Sequence, residues 1–263
     1  MGWLGLDDTD SLEQGCTTYT FHLLLEGLPD SVQISTPKLV RLWPFAQQRT
    51  RGNAAVAVEL KTEDEEQLLA YLETFWKQNI VPLAGRLSES NHDVRQQYPS
   101  DPGMVWFSSD RPDETFYAAS VRQEVQLSDV PSATRAWGGQ GRIGATAAVS
   151  WRERQPTWEA IVWRRVERHG QNERLVCDST LERIDQLPST FLSRDPRKGT
   201  SLVAPRGPCP VLFGVRARDF TTAQYAGLEL RNAEQTEDSI GMRVFVTNQA
   251  TDDHLSEPVQ TTV

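Results

Sequence analysis

The sequence has little cysteine and no long apolar run. Its 263 residues include only Cys16, Cys177 and Cys209, which are far apart and form no Cys-x-x-Cys pair. This pattern supports neither a disulfide framework nor a zinc site. No run approaches the roughly 18 apolar residues that a membrane span needs, and the N-terminal MGWLGLDD lacks the basic region of a signal peptide. We therefore expect a soluble, cytoplasmic protein with no membrane partner.

Histidine and positive charge are also scarce. The four histidines form no Ser-His-Asp, Cys-His or metal-binding pattern, and 27 basic residues face 36 acidic ones, a net charge of −9. This balance argues against unspecific nucleic-acid binding by the whole surface. Two basic stretches would nevertheless suit an anion bound at a defined place, although scattered surface arginines are the alternative. They contain Lys38, Arg41, Arg49 and Arg51, and then Arg135, Arg142, Arg152, Arg154, Arg164, Arg165 and Arg168.

Hydrophobic patterning predicts an α+β protein that begins with a β-α-β-β-α-β unit. The predicted elements are a strand at 3–6, a helix at 16–25, strands at 32–42 and 53–60, a helix at 62–79 capped by Thr62, and a strand at 104–108. This order is that of the ferredoxin-like, split βαβ motif. A polar segment over 84–103 predicts a long loop before the last strand.

A second unit is predicted after a boundary near residue 112. Its predicted elements are helices at 113–125 and 221–232, a small-residue helix to which the Gly-rich WGGQGRIGATAAV leads, and strands at 157–166 and 208–217. We therefore expect two ferredoxin-like units packed side by side, spanning residues 1–112 and 113–235. A C-terminal strand and polar tail would occupy residues 236–263.

The stretch LDDTDSLEQGCTTY, residues 6–19, crowds three carboxylates beside two hydroxyls. Along a strand, Asp8 and Asp10 would share a face while Asp7 points away, but a loop could bring all three together. Such oxygen ligands suit Mg²⁺, which usually takes one or two carboxylates and completes its shell with waters and phosphates. The alternative is an Asp-rich turn that caps the next helix.

The predicted helix start behind these acids is a second candidate for ligand binding. Its N–H groups and positive dipole end would attract phosphate, and Gly15 would allow close backbone approach. Thr17 and Thr18 lie in its first turn, where simple capping and core contact are the alternative. A nucleoside triphosphate that bridges bound Mg²⁺ and this helix start would explain both halves of the stretch.

Two further loops are candidates for contact with phosphate. In QQRTRGNAA, residues 47–55, Arg49 and Arg51 precede Gly52. Guanidinium and backbone N–H groups of this segment could therefore face one anion. The alternative is a solvated hairpin loop with two surface arginines. Residues 139–144, GQGRIG, match the GxGxxG pattern but follow ATRAWGG, a poor strand, so a dinucleotide fingerprint is not predicted. We expect a loop that approaches phosphate or RNA, or a tight connection into a packed helix.

Seven motifs in order carry a resemblance to a known family. GLDDTDS, GCTTY, LVRLWP, RTRGNAAV, GRIGATAAV, PVLFGVRA and TNQATDDHL occur between residues 5 and 255. Together they resemble the archaeal-type tRNA(Ile) 2-agmatinylcytidine synthetases. Trp43 stands where the family commonly has Asn, and Arg49 where Lys is usual. The resemblance covers a kinase-like and a ferredoxin-like domain, without the oligonucleotide-binding barrel and zinc ribbon with which family members continue.

The resemblance implies an ATP- and Mg²⁺-dependent ligase that phosphorylates the C2 carbonyl of a tRNA cytidine for displacement by agmatine. Asp7, Asp8 and Asp10 would bind Mg²⁺ and act with Thr17 and Thr18, of which Thr17 would be the threonine that the family phosphorylates. The resemblance matches Arg49, Arg51 and Asn53 to the motif that contacts phosphate. Together with Gly15, Arg41, Gly52, Gly141 and Gly144 they are the predicted cofactor-binding residues.

A binding role is the alternative to catalysis. The chain would then be a non-catalytic or partner-dependent paralogue that binds nucleotide or RNA within a larger assembly. In either case, local basic patches or a separate RNA-binding subunit would bind the tRNA.

Overall fold

The fold was analysed in a computed structural model that describes residues 1–11, 15–48, 52–85, 98–165, 176–190, 210–233 and 239–248. They belong to two compact units, Met1–Arg154 and Gln155–Thr261. Both units combine helices with antiparallel strands, which confirms the predicted α+β class. No helix in these ranges is both long and apolar enough to cross a membrane. Cys16 and Cys177 take part in no disulfide bond, and Cys209 lies outside the described residues.

The first unit contains an antiparallel sheet with strand order β6-β5-β1-β4-β3, and a short strand β2 that pairs with β4. Its elements are β1 (Gly2–Asp7), α1 (Thr17–Glu26), β2 (Gln33–Ile34), β3 (Lys38–Arg41), β4 (Ala54–Lys61), α2 (Glu65–Phe75), β5 (Gly103–Phe107), α3 (Glu114–Ser120), β6 (Arg135–Gly138) and α4 (Gly141–Ser150).

The β5-β1-β4-β3 part of this sheet has the ferredoxin-like order that the sequence predicted. Strand β1 lies at its centre, where Leu4 pairs with Val58 on one side and Trp106 on the other. The predicted strand at 32–42 is divided into β2 and β3 by a segment that contains Pro37, which has no N–H to donate to a ladder.

Helix α2 begins later than predicted. Asp64 is its N-cap, because the Asp64 carboxylate accepts a hydrogen bond from the Gln67 N–H at 2.9 Å. Thr62, the predicted cap, instead accepts from the Asp64 N–H at 3.0 Å. The helix buries Leu68 and Leu72, and a π-helical turn follows it.

The first unit extends well beyond residue 112, where the sequence placed a boundary. Strand β6 pairs with β5, and helix α4 packs so closely on β1 that a Cβ on Gly5 would collide with the backbone of Ala145. The expectation that residues 133–139 form no strand is wrong. Trp137 in β6 is buried, and its indole N–H donates to Glu73 at 2.6 Å, so side-chain packing outweighs weak local propensity.

The second unit has a three-stranded antiparallel sheet in the order β9-β7-β8 among its described residues. Its elements are β7 (Thr157–Arg164), α5 (Asp178–Asp185), β8 (Val211–Ala217), α6 (Phe220–Asn232) and β9 (Ser239–Thr247). Helix α5 was not predicted, because only Leu181 and Ile184 of its polar segment enter the core. Arg164, part of a predicted basic patch, is 2% exposed and donates to the Leu230 carbonyl.

Two cations hold the C-terminal end of α4. Lys38 donates to the Trp151 carbonyl at 2.9 Å, and Arg111 donates to the Val149 carbonyl at 3.2 Å. Glu153 forms ion pairs with both cations. Positive charge is favourable at this end of a helix dipole, so the arrangement anchors α4. The Lys38 side chain is only 3% exposed, so this part of the first basic stretch is used within the fold.

Burial lowers the pKa of Lys38 to about 8 from its ordinary 10.5, although Glu153 opposes the shift. Between these pH values the unfolded chain binds more protons than the folded chain, so stability rises with pH. The free energy of unfolding would be measured in urea for the wild type and for Lys38→Met. We expect the difference between the two proteins, wild type minus variant, to increase by up to about 3 kcal/mol from about pH 8 to pH 10.5. Lys61→Met, at an exposed lysine, should leave the wild-type pH profile unchanged. Parallel profiles for wild type and Lys38→Met would contradict the expectation.

Candidate functional site

An open cavity in the first unit brings together several of the residues predicted to bind a ligand. It encloses about 890 Å³, including space that is open to solvent. The lining comes from the end of β1, the turn after β3, the lead into β4, the segment after α3 and the start of α4. The predicted site residues in the lining are Asp7, Asp8, Asp10, Gly52, Asn53, Gly141 and Gly144.

Asp7 ends strand β1 and lies against helix α4. A Cβ on Gly144 would collide with the Asp7 carboxylate, so the absence of a side chain there makes room for this acid. The other Asp7 oxygen accepts a hydrogen bond from the Asp8 N–H at 2.8 Å. Burial raises the pKa of Asp7 well above its ordinary value, and the nearby charges of Asp8 and Asp10 raise it further.

Asp8 connects the acidic turn to the start of α4. Its backbone is left-handed, with φ of 58°, and its carboxylate accepts from the Asp101 N–H at 2.7 Å. Asp101 in turn accepts from Gln140 N–H at 2.8 Å through its side chain, and from Gly141 N–H at 2.9 Å through its carbonyl. Asp101 was not among the predicted residues, because it lies at the end of a polar segment without periodicity.

Asp10 is held beside the start of α1. The Thr17 hydroxyl donates to Asp10 at 3.3 Å and accepts from the Thr9 N–H at 3.3 Å. Thr18 contacts the Cys16 sulfur at 3.2 Å. Thr17 and Thr18 are 8% and 7% exposed, and neither lines the cavity. Both threonines are therefore buried, whereas neither side chain caps the helix, whose N-cap is Cys16.

The helix start that lines the cavity is that of α4, whereas the sequence suggested that of α1. Gln140, Gly141 and Gly144 lie in the lining, and the first turn of α4 contains no acidic residue. Gly15 has φ of +86°, and a Cβ there would lie 2.6 Å from the Thr9 carbonyl oxygen. Gly15 therefore permits a close contact with the backbone of Thr9. It does not line the cavity, so it offers no close approach to a ligand there.

The GxGxxG segment forms the predicted tight connection into a packed helix. Strand β6 precedes it, but β6 is an antiparallel edge strand, so no dinucleotide-binding βαβ unit is formed. Gly141 opens the closely packed helix α4 and also lies in the cavity lining.

The remaining predicted residues are dispersed. Asn53 lines the cavity and uses its side-chain N–H to bind the Trp43 carbonyl at 2.8 Å. Arg41 ends β3 and does not line the cavity. Arg49 and Arg51 lie outside the described residues. Trp43, Ser120, Gln123 and Gln126 line the cavity without having been predicted.

The three aspartates do not form one three-ligand cluster. Within the described ranges, no group of three His, Cys, Asp or Glu side chains is arranged to hold a metal ion together. Their carboxylates accept from three different groups, namely the Asp8 N–H, the Asp101 N–H and the Thr17 hydroxyl. Because Mg²⁺ usually takes one or two carboxylates and fills its shell with waters and phosphates, the donor set still fits this ion.

Two domain models of one protein family together match nearly the whole chain, with their common limit near the start of α4. A model of the TiaS TCKD domain matches residues 3–140, and a model of the TiaS FLD domain matches residues 139–254. The chain belongs to the TiaS family. This confirms the resemblance seen in the sequence motifs.

Individual TiaS proteins match almost the whole chain. The isoleucine-tRNA 2-agmatinylcytidine synthetase TiaS of Pyrobaculum neutrophilum is 35% identical, over 96% of this chain and 58% of its own length. A crystal structure of TiaS in complex with isoleucine tRNA and ATP matches 96% of this chain and 60% of its own, with 28% identity and a TM-score of 0.74. A TiaS complex with isoleucine tRNA, AMPCPP and agmatine matches 95% and 60%, with 25% identity and a TM-score of 0.74. The chain thus spans less than two thirds of the TiaS proteins that it matches.

The geometry at Asp8 predicts different effects for two substitutions. Asp8→Ala removes the acceptor for the Asp101 N–H and places alanine in a left-handed backbone, which asparagine tolerates better. We expect Asp8→Ala to lower the free energy of unfolding in urea by about 2 kcal/mol and Asp8→Asn by less than about 1 kcal/mol. Asp30→Ala, at an exposed aspartate, is the control. Equal stability of the two Asp8 variants would show that neither feature contributes.

Proposed function

We propose that this chain provides the ATP- and Mg²⁺-dependent catalytic part of an isoleucine-tRNA 2-agmatinylcytidine synthetase. The observation that carries the proposal is the cavity shared by Asp7, Asp8, Asp10 and the start of α4, in a chain whose TiaS relatives were crystallised with isoleucine tRNA, ATP and agmatine. A role in tRNA modification would also place the chain in the cytoplasm.

The proposed reaction has two steps. Transfer of a phosphoryl group from ATP to the C2 carbonyl oxygen of a cytidine breaks a phosphoanhydride bond of ATP and converts that oxygen into a leaving group. The primary amine of agmatine then forms a bond to C2, the C2–oxygen bond breaks, phosphate departs and the amine nitrogen loses a proton. Both steps depend mainly on positioning and on neutralising phosphate charge. The absence of an evident general base from the predicted site residues is consistent with this demand.

The acidic residues would bind the cation and would not contact the phosphates directly. Asp7, Asp8 and Asp10 would hold Mg²⁺, with one or two of them in direct contact. Bound Mg²⁺ would neutralise the charge of the triphosphate. Burial and the charges of Asp8 and Asp10 raise the pKa of Asp7, and the same cation would relieve the repulsion among these acids.

The N-terminal end of α4 would bind the phosphates. The N-terminal end of a helix attracts anions through its dipole and its N–H groups. An alanine in place of Gly144 would displace the Asp7 carboxylate, so this glycine sets the distance between the acid and the helix start. Gly52 and Asn53, which line the cavity, and Arg49 and Arg51 of the same sequence motif remain the proposed phosphate contacts.

Thr17 would be the threonine that accepts a phosphoryl group. Its hydroxyl donates to Asp10 and is 8% exposed, so phosphorylation requires it to leave Asp10 and turn towards the cavity. Thr18, which contacts the Cys16 sulfur, would not be modified.

Mass spectrometry after incubation with ATP and Mg²⁺ tests this assignment. The wild type should gain phosphate on Thr17, and with isoleucine tRNA and agmatine present, one cytidine should gain the mass of the agmatine adduct. Asp8→Asn keeps the backbone and should reduce both products by about a hundred-fold or more, because it removes a charge that binds the cation.

Matched variants separate the roles of the residues. Thr17→Ala should abolish the phosphate on the protein, whereas Thr18→Ala and Asp30→Asn should retain it. Undiminished product formation in both Asp8→Asn and Thr17→Ala would overturn the site assignment.

A further inference from the structure

Trp43 is a large aromatic residue in the wall of a mostly polar cavity. It follows strand β3, lines the cavity with the three aspartates, and is only partly buried. Its ring packs edge-on against Phe45, with centroids 5.1 Å apart and planes at 67°. Phe45 itself is 53% exposed. This pair therefore does not belong to the closed core of the unit.

The backbone of Trp43 is fixed from two sides. Its N–H donates to the Ser120 carbonyl at 2.9 Å, which ties it to the end of α3. Its carbonyl accepts from the Asn53 side chain at 2.8 Å, and the neighbouring Leu42 N–H donates to the Asn53 carbonyl at 2.8 Å. An aromatic side chain on a fixed backbone loses little conformational entropy when it binds a ligand.

The cavity wall is chemically divided. Asp7, Asp8 and Asp10 provide negative charge suited to a cation and its phosphates, whereas Trp43 offers an apolar ring face. Gln123 lines the same cavity, and its amide can donate to and accept from the edge of a base. A ligand with a phosphate chain and a flat heteroaromatic ring matches both kinds of surface.

We propose that Trp43 is the platform on which the adenine ring of ATP stacks, with Phe45 supporting the indole from the side. The inference rests on the proposed function, since it assigns the adenine end of the same ATP whose phosphates lie at the aspartates. A single ATP satisfies both surfaces, whereas an RNA base at Trp43 would leave the adenine without a stacking partner among the described lining residues, in which Trp43 is the one aromatic side chain.

Binding measurements with two ligands test the stacking directly. Titration calorimetry would compare ATP with inorganic tripolyphosphate, each with Mg²⁺, on wild type and Trp43→Ala. Loss of a base–aromatic stack typically weakens binding by about ten-fold or more. We expect that loss for ATP and an unchanged dissociation constant for tripolyphosphate. Trp43→Phe keeps an aromatic face and should bind ATP within about three-fold of wild type.

The controls distinguish the possible failures. Trp158→Ala truncates a tryptophan that packs edge-on against Phe220 in the second unit, at 5.4 Å, and should leave the binding of both ligands unchanged. Equal weakening of ATP and tripolyphosphate by Trp43→Ala, or no effect on either, overturns the stacking role. Weaker binding of only a cytidine-containing oligonucleotide also overturns it. A wild type that binds neither ATP nor tripolyphosphate refutes the proposed function itself.

Discussion

The packing of helix α4 against strands β1 and β5 is the constraint on which the candidate site depends. A Cβ on Gly5, Gly103 or Gly141 would collide with backbone atoms across this contact. The backbone of the helix therefore packs directly against the backbone of the strands at these glycines. Lys38 and Arg111 bind the carbonyls at the other end of α4. Together these contacts hold the N-terminal end of α4 at the point where β1 ends in Asp7.

The fold tolerates the crowded acids because each carboxylate receives a hydrogen bond from a different group. The Asp8 and Asp101 N–H groups and the Thr17 hydroxyl are these donors. Hydrogen bonds of this kind offset part of the repulsion, but the raised pKa of Asp7 shows that burial and neighbouring charge outweigh them. A site with this excess of negative charge is stabilised most by a ligand that brings positive charge.

The parts of the fold that were predicted correctly are those with a strong local pattern. The β-α-β-β-α-β order follows from strands and helices whose apolar residues recur with the right period, such as Leu68 and Leu72 in α2. Strand β6 has no such pattern, because its pairing depends on β5 and on the burial of Trp137. The limit of the first unit was misplaced for the same reason, since β6 and α4 join the sheet through long-range contacts.

The candidate site shows the same division between local and long-range information. Asp7, Asp8 and Asp10 could be identified from their crowding, which local sequence reveals. The helix start that meets them could not, because α1 follows the acids in sequence whereas α4 reaches them only through the sheet. Asp101 joins the two parts of the site, because its carboxylate accepts from the Gln140 N–H at the start of α4 while its own N–H donates to Asp8. This role could not be read from the local sequence. Adjacency in the chain pointed to the N-terminal end of α1, whereas tertiary packing places the N-terminal end of α4 in the cavity with the acids.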